Sequence, residues 1–460
     1  MRRHLASGLL PLALTGCLVG PDYRAPEPRV PSAWSEAEAA DPSADLAAWW
    51  TRFNDETLVS LVERALAANL DLRIADARVR EAAALRRVAG APLWPSLDAS
   101  AQGAERSGDA PGDAVRGALE ASWEIDVFGG TRRALEAARA DHEASVADRR
   151  ATLVLLLGEV ARGYVELRGF EALYETVTRN LATQRETRDL TLAQARAGLA
   201  SDLDVERARA LLATTAAELP PLDGARRVSA HRLDVLLGLS PSSLASELAP
   251  GAPVPSVADA LLVGVPADLL RRRPDLARAE RALAAASARI GVAVADLYPR
   301  FTLTGSVGLR SESVKAFARG DTSFTAIGPN VSWPIFAAGR LRANVKVADA
   351  VHEQALASYE LALLEAVEDV ENALVRHTRE QLRRRALREA VDANREAADL
   401  ARRLYANGLG AFLDVLVAER SLLESESRLV ESETAVSTSL VALYVALGGG
   451  WERAEELRGS

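Results

Sequence analysis

Two long stretches without proline constrain this chain more than any other feature. Residues 131–197 and residues 339–407 contain no proline, and alanine, leucine, arginine and glutamate dominate both. Each stretch predicts one unbroken helix, which at 1.5 Å per residue is about 100 Å long. No single globular core encloses helices of that length. The sequence therefore predicts long helices that pack against one another as coiled coils.

The spacing of apolar residues supports this packing. Large side chains recur every seven residues, a period that gives left-handed supercoiling of neighbouring helices. In the first stretch they are Val146, Leu153, Val160, Leu167, Tyr174 and Leu181. In the last helical stretch of the chain they are Val415, Leu422, Leu429, Val436 and Leu443.

Several short segments occur twice, in the same order. "GLASDLDV" at 198–205 matches "GLGAFLDV" at 408–415, and "SWEIDVFGGTRR" at 122–133 matches "SWPIFAAGRLR" at 332–342. "NLDLRIADARV" at 69–79 parallels "RPDLARAERAL" at 273–283, and "PLWPSL" at 92–97 parallels "DLYPRF" at 296–301. A period of about 205–210 residues is too long for a solenoid unit and predicts two homologous halves. Each half has a helix, two alternating segments, a long helix, a Gly-Leu turn and a returning helix.

The alternating segments predict four β-strands, at 97–104, 115–127, 301–310 and 324–335. Apolar residues occupy one side of each strand and polar residues the other, over a length that suits a bilayer crossing. An open sheet edge is not tolerated in lipid, so strands in a membrane require other copies of the chain. Two copies give a filled barrel of eight strands and three give twelve strands with a lumen. The alternative is a soluble hairpin packed on helices.

If the polar sides line a lumen, their charges set its ion preference. The acidic residues expected to face inward outnumber Arg116, which predicts a mild preference for cations. These acidic residues are Asp98, Glu120, Glu124 and Asp126.

The first residues indicate export. Arg2 and Arg3 precede an apolar run at 5–14 that is too short to span a bilayer, which is typical of a signal peptide. The run ends in Leu-Thr-Gly-Cys17, which resembles the bacterial lipobox, and Cys17 is the only cysteine. We therefore predict lipidation at Cys17, the alternative being a plain secretory signal with an incidental cysteine. Leu18 is not the aspartate that retains lipoproteins at the inner membrane, which favours the outer membrane.

Composition argues against several other functions. The formal net charge is −9, and removing Arg2 and Arg3 leaves 53 basic against 64 acidic residues, so we expect no nucleic-acid partner. The five histidines show no metal-ligand spacing, and no phosphate-binding loop occurs. Met1, the only methionine, is lost with the signal peptide, which disfavours a thioether relay for copper. We predict no enzyme activity, no metal and no cofactor other than the lipid on Cys17.

Taken together, these motifs resemble one known family. The lipobox, "GPDYRAP" (20–26), "WWTRFND" (49–55), "SWEIDVFGGTRR", "LLRRRPDLARAE" (269–280) and the paired turns are similar to outer-membrane efflux lipoproteins of the TolC/OprM class, NodT-type. The resemblance covers essentially the whole mature chain. It implies an α+β membrane protein, mostly α: a homotrimer with a twelve-stranded outer-membrane barrel and a coiled-coil α-barrel reaching through the periplasm. The implied partners are a periplasmic adaptor protein, an inner-membrane pump of the resistance–nodulation–division type and outer-membrane lipid.

The predicted organisation follows the repeat. A signal peptide covers 1–16 and a lipidated extended segment covers 17–54. The first half covers 55–265, with its tip near 198–202 and an equatorial segment at 220–265. The second half covers 266–460, with its tip near 408–412 and a C-terminal equatorial segment.

The resemblance also implies functional residues. The turns are the periplasmic tips, where we expect the adaptor to dock on Gly198, Leu199, Gly408 and Leu409. The glycines permit the positive φ that ends a helix. Ser201 and Asp204 have capping-box spacing, whereas Ala411 cannot cap its helix. Some relatives place an aspartate in the gate where this chain has Val417, so an acidic gate ring would depend on other carboxylates. The predicted periplasmic gate residues are Leu413, Asp414, Glu419, Arg420, Asp204 and Glu206.

The expected function is a passive exit duct of a tripartite efflux system, in which the pump supplies energy and substrate selection. The alternative is a non-channel helical lipoprotein scaffold that bridges envelope layers. That alternative shares the anchor and the coiled coils, but it does not explain four amphipathic strands or the doubled strand-then-helix unit.

Overall fold

The computed structural model describes residues 18–27, 31, 33–35, 46–106, 112–248, 251–257, 272–311, 317 and 323–459. The predicted signal peptide, Cys17 and the predicted boundary between the halves at 265/266 lie outside these residues. The helices are α1 (Glu56–Ala68), α2 (Leu70–Gly90), α3 (Gly130–Arg196), α4 (Asp202–Ala216), α5 (Leu219–Leu236), α6 (Pro274–Ala295), α7 (Arg340–Ala406), α8 (Phe412–Ala446) and α9 (Trp451–Gly459). The strands are β1 (Ser96–Arg106), β2 (Gly112–Ile125), β3 (Arg300–Ser311) and β4 (Ser323–Ser332).

The two proline-free stretches form the two longest described helices. α3 and α7 each contain 67 residues and begin and end within one residue of the predicted limits. The predicted seven-residue positions are largely core positions, since Leu153, Val160 and Leu167 of α3 and Val415 and Leu443 of α8 are at most 1% exposed. Helix length and the buried face were therefore both predictable from the sequence.

The strands form one sheet in the order β1-β2-β3-β4, with every neighbouring pair antiparallel. β2 ends at Ile125 rather than at the predicted 127, and β4 ends at Ser332 rather than at 335. Pro334 lacks the N–H that a ladder needs, which explains the second difference. Pro329 lies within β4, which is an edge strand of the described sheet, where proline is tolerated.

The returning helices of the two halves differ. α8 is continuous, whereas the first half has α4 and α5 separated at residues 217–218. Pro220 and Pro221 occupy the first turn of α5, where a missing N–H costs nothing. The chain remains helical to Leu236, so the first part of the predicted equatorial segment at 220–265 is helical.

The chain divides into two compact units. One contains the described residues within 1–27, 77–146 and 277–361, including the sheet. The other contains the described residues within 28–76, 147–276 and 362–460. Each unit thus takes segments from both predicted halves.

The second unit holds the main hydrophobic core. The "WWTRF" segment forms a buried 3₁₀ turn whose Trp49 stacks on Tyr444, with ring centroids 5.1 Å apart. Leu58, Leu61 and Leu72 of α1 and α2 pack in the same cluster, as do Leu153, Val160 and Tyr164 of α3 and Leu443 of α8. Asn69 separates α1 from α2, and its side chain accepts a hydrogen bond from the Leu72 N–H at 2.9 Å.

Candidate functional site: two helix tips and an amphipathic sheet

The first tip is a tight helix end in the second unit. Gly198 has φ +75°, which an L side chain rarely adopts. The Leu199 N–H donates to the Gln194 carbonyl at 2.8 Å and the Gly198 N–H to the Ala195 carbonyl at 2.9 Å. This pair of bonds is the Schellman arrangement that ends a helix.

The second tip repeats this geometry. Gly408 has φ +73°, and its N–H donates to the Tyr405 carbonyl at 3.0 Å. The Leu409 N–H donates to the Leu404 carbonyl at 2.9 Å. The predicted positive φ of both tip glycines is confirmed.

The helices after the tips begin differently. Ser201 accepts a hydrogen bond from the Asp204 N–H, and the Asp204 carboxylate accepts one from the Ser201 N–H at 3.3 Å. The predicted capping box is present despite the short aspartate. Ala411 makes no side-chain cap, also as predicted.

Both tips expose apolar side chains. Leu199 is 79% exposed and Leu409 is 77% exposed, although each is a large hydrophobic residue. Leu203, one turn after the first tip, is also exposed, and so are Leu413 and Val417 after the second. Sequence reasoning missed Leu203, which the repeat aligns with Leu413. Such exposed apolar groups indicate a contact surface.

The predicted gate residues fall into three environments. Asp414 and Arg420 are exposed, and neither side chain bonds to any described residue. The Asp204 carboxylate accepts the capping-box hydrogen bond from Ser201, and it lies 3.6 Å from the Arg207 guanidinium. Glu206 forms an exposed ion pair with Arg209 at 2.7 Å.

Glu419 differs from the others because it is buried within its own chain, at 3% exposure. Its carboxylate accepts a hydrogen bond from the Thr187 hydroxyl of α3 at 2.7 Å. Arg402 of α7 is 3.7 Å away, but that guanidinium also pairs with Asp399 at 2.8 Å. A side chain enclosed in this way does not face a water-filled lumen, so Glu419 does not suit the predicted acidic gate ring.

Burial raises the pKa of Glu419, while the Thr187 hydrogen bond and the charge of Arg402 oppose that rise. A carboxyl whose pKa is higher in the folded state stabilises the fold when protonated, and this contribution is lost as the pH rises through the folded pKa. We expect Glu419→Gln to increase the free energy of unfolding at pH 7 by about 1 kcal/mol and so to raise the melting temperature. The gain should shrink as the pH falls toward 4. Thermal melts of both proteins across this range check the prediction, and a gain that grows on acidification would contradict it.

The sheet lies in the first unit and has one apolar face. The register places Leu119 opposite Val307, Trp123 opposite Leu303 and Phe301 opposite Val331, so these side chains share a face. The same face includes Leu97 and Ile327, which are 69% and 79% exposed. The predicted alternation is therefore confirmed, and the apolar face of the sheet is exposed within the protomer.

The opposite face is polar, with charges of both signs. Asp98 is paired with Glu120 in the register, and Arg116 with Arg310. Arg116 also donates to Glu120 at 2.9 Å. Sequence reasoning missed Arg310, which the alternation along β3 places on this face.

Asp126 does not belong to that face, contrary to the prediction. It follows the end of β2 and accepts hydrogen bonds from the Thr131 and Arg132 N–H groups at 3.2 and 2.9 Å, at the start of α3. Its side chain also pairs with the Arg132 guanidinium at 3.2 Å. The excess of inward carboxylates is therefore smaller than the sequence indicated.

Two tryptophans make the same contact in the two halves. The Trp123 indole N–H donates to the Leu93 carbonyl at 3.1 Å, and the Trp333 indole N–H donates to the Leu297 carbonyl at 3.1 Å. Nearby, the rings of Phe128 and Tyr298 stack at 4.5 Å. Aromatic residues thus gather where the strands meet the helices.

Two further features of the described residues bear on the chemistry. Within the described ranges, no group of three or more histidine, cysteine or acidic side chains is placed to hold a metal ion. No single described helix is both long and apolar enough to cross a membrane. The helices at 412–446 and 451–458 meet those criteria only as a pair bent by 80°.

Comparison with known proteins identifies the class. The family model for outer membrane efflux proteins matches residues 61–239 and 265–449. This chain belongs to the outer membrane efflux protein family, as the sequence motifs predicted.

Particular relatives are similar over almost their full length. Nodulation protein T of Rhizobium leguminosarum bv. trifolii is 35% identical over 448 residues, covering 96% of each chain. Cation efflux system protein CusC of Escherichia coli O6:H1 is 31% identical, covering 96% of this chain and 97% of its own. The solved structure of the outer-membrane channel OprN superimposes with a TM-score of 0.89 at 37% identity, covering 95% of this chain and all of that one. The fold is thus that of the outer-membrane efflux channels.

Proposed function

We propose that this chain is the outer-membrane exit duct of a tripartite efflux system and passively exports small molecules. The observation that carries the proposal is the four-stranded sheet with one exposed apolar face and one charged face. In lipid, such a sheet satisfies both faces only when it closes around an aqueous lumen. The similarity to CusC, which is named for cation efflux, and to the fold of OprN supports the same role.

The open edges of the sheet support a homotrimer. β1 and β4 each have one described neighbour, which leaves one edge of each strand unpaired within the protomer. Pairing β4 of one copy with β1 of the next removes these edges, and three copies give a twelve-stranded barrel. We assign this barrel to the outer membrane.

The surface of α7 supports the same assembly. Leu363, Val370, Val391 and Tyr405 lie on its buried side at seven-residue spacing. On the opposite side Val347, Leu361, Val375 and Leu382 are exposed, also separated by multiples of seven. A second apolar seam on one helix requires a second helical partner. We propose that a neighbouring copy supplies it, forming the periplasmic α-barrel.

The paired geometry supports an internal duplication. Positive-φ glycines recur 210 residues apart, as Gly129 with Gly339, Gly198 with Gly408 and Gly238 with Gly448. Trp123 and Trp333 are also 210 residues apart, and each donates its indole N–H to a backbone carbonyl. Turns of the same conformation at a constant offset are what a duplicated chain retains.

The remaining partners follow from the proposed duct. We propose that a lipid on Cys17 anchors the mature chain in the outer membrane. A periplasmic adaptor contacts the tips through Leu199 and Leu409, and an inner-membrane pump of the resistance–nodulation–division type supplies the energy. The gate past the second tip comprises Leu413 and Arg420 with Asp414, and excludes Glu419.

Planar-bilayer conductance tests the function and the gate together. We expect the mature protein to form channels that are mostly closed. Leu413→Ala and Arg420→Ala should each increase the open fraction by about tenfold, which corresponds to weakening the closed state of the trimer by about 1.4 kcal/mol in total. Glu175→Ala, which removes an exposed carboxylate whose partner Arg179 lies on the same helix and away from the predicted gate, is the control. If both gate variants remain closed as often as the unmodified protein, the assignment of Leu413 and Arg420 to the gate is wrong.

The molecular mass of the same purified protein distinguishes the exit duct from the alternative helical scaffold. Light scattering with the detergent contribution subtracted should give three copies of the chain. A protein that gives no channels and is a monomer in detergent would instead support the envelope-spanning scaffold.

A further inference from the structure

Arg133, in the first turn of α3, is buried to an unusual degree for an arginine, with only 1% of the residue exposed. A buried guanidinium is tolerated only when its donors are satisfied. One partner, Glu136 at 2.8 Å, lies on the same helix. Among the described residues, the other hydrogen-bond partners of the guanidinium belong to the N-terminal segment, more than a hundred residues away in the sequence.

The guanidinium binds that segment at three points. Its Nε donates to the Val19 carbonyl at 3.1 Å, and Nη2 donates to the Gly20 carbonyl at 3.3 Å. Nη2 also donates to the Asp22 carboxylate at 2.8 Å. The planar fork of arginine suits such a set of acceptors, and lysine cannot reproduce it.

Glycines bring the backbones into contact around this arginine. Gly20 has φ +88°, and a Cβ there would lie 2.4 Å from the Cα of Gly291 in α6. A Cβ on Gly291 would lie 2.7 Å from Cγ of Arg133. Residues 19–20, α6 and the Arg133 side chain are therefore packed with no room for a methyl group.

Further contacts hold both ends of the segment. The Val19 N–H donates to the Phe128 carbonyl at 3.2 Å, and Leu18 lies against Gly129. At the other end the Tyr23 hydroxyl donates to Glu280 of α6 at 3.1 Å. All of these residues belong to the first compact unit.

We propose that Arg133 is a positioning residue that captures residues 18–23, the N-terminal strap, and fixes this strap beside the end of β2. The strap also joins α3 of the first half to α6 of the second. The inference rests on these contacts alone and holds whether or not Cys17 carries a lipid or the protein exports anything.

Limited proteolysis of the full-length, detergent-extracted protein tests the proposal. Trypsin cleaves after Arg24, an exposed residue just beyond the strap, only when the flanking chain leaves the surface. We expect Arg133→Gln to accelerate this cleavage at least tenfold, measured by mass spectrometry at early times. Arg133→Lys should be intermediate, since it keeps the charge but not the fork. Arg289→Gln is the control, because that arginine also links α6 to α3, through Asp141, but is half exposed.

A second variant separates docking from folding. Gly20→Ala changes only the strap, so it should accelerate cleavage after Arg24 to a similar extent without accelerating cleavage elsewhere in the first unit. Cleavage as slow as in the unmodified protein in both Arg133→Gln and Gly20→Ala would overturn the proposal. Equal acceleration by Arg289→Gln would also overturn it, because it would show general loosening of the unit rather than release of the strap.

Discussion

Replacing Arg273 by alanine is expected to destabilise the second compact unit by about 3 kcal/mol, the scale for removing one partner from a buried ion pair. Arg273 is 9% exposed. Its Nη1 donates to the Ala446 carbonyl, at the end of α8, at 2.9 Å. Its Nη2 donates to Asp275 at 2.7 Å and to Asp369 of α7 at 3.1 Å. One side chain thus joins the start of α6, α7 and the C-terminus of α8.

The loss follows from what alanine leaves behind. The Ala446 carbonyl lies in the last turn of α8 and has no partner within its helix, so it depends on such a donor. The two aspartates lose their shared cation, although Asp369 remains more than half exposed and recovers part of its hydration.

The adjacent arginine supplies a matched control. Arg272 is exposed, and its side chain bonds to no described residue. We expect Arg273→Ala to lower the melting temperature of the purified protein by several degrees and to reduce its yield in the outer membrane, with Arg272→Ala close to the unmodified protein. Equal melting temperatures for the two variants would refute the role of Arg273.

The second large effect is expected at the tips. Leu199→Asp combined with Leu409→Asp should abolish efflux while leaving the protein folded, because both side chains are more than three-quarters exposed. If the adaptor buries each leucine, each contributes about 1.5–3 kcal/mol to docking. Losing two per protomer weakens docking by at least 100-fold.

The measurement is the efflux rate of a fluorescent substrate in cells that depend on this chain for export. The double variant Leu199→Met with Leu409→Met keeps the apolar surface and should retain efflux. The single variants Leu199→Asp and Leu409→Asp compare the two tips. Because the tip geometry is repeated, we expect the two variants to reduce efflux to a similar extent. Full efflux by the double aspartate variant, at normal abundance in the outer membrane, would exclude these leucines from docking.

Features that depend on local sequence were predicted well. The limits of α3 and α7 follow from the absence of proline, and the tip conformations follow from Gly198 and Gly408, because backbone sterics act on a few neighbouring residues. The two faces of the sheet follow from alternation, since successive side chains point to opposite sides of a strand. The capping box at Ser201 is a contact between residues three apart.

Features that depend on distant contacts were decided by the tertiary structure. Glu419 and Arg133 have the sequence context of charged residues on a solvated helix face, yet both are buried. Their partners, Thr187 for Glu419 and Asp22 for Arg133, lie more than a hundred residues away in the chain. Asp126 continues the alternation of β2 by sequence, but its hydrogen bonds to the start of α3 remove it from the polar face. Sequence alone determined which residues form helices, strands and turns, because those preferences act over a few residues. Only the packed chain determined which charged groups are enclosed, because burial depends on the segments that meet in space.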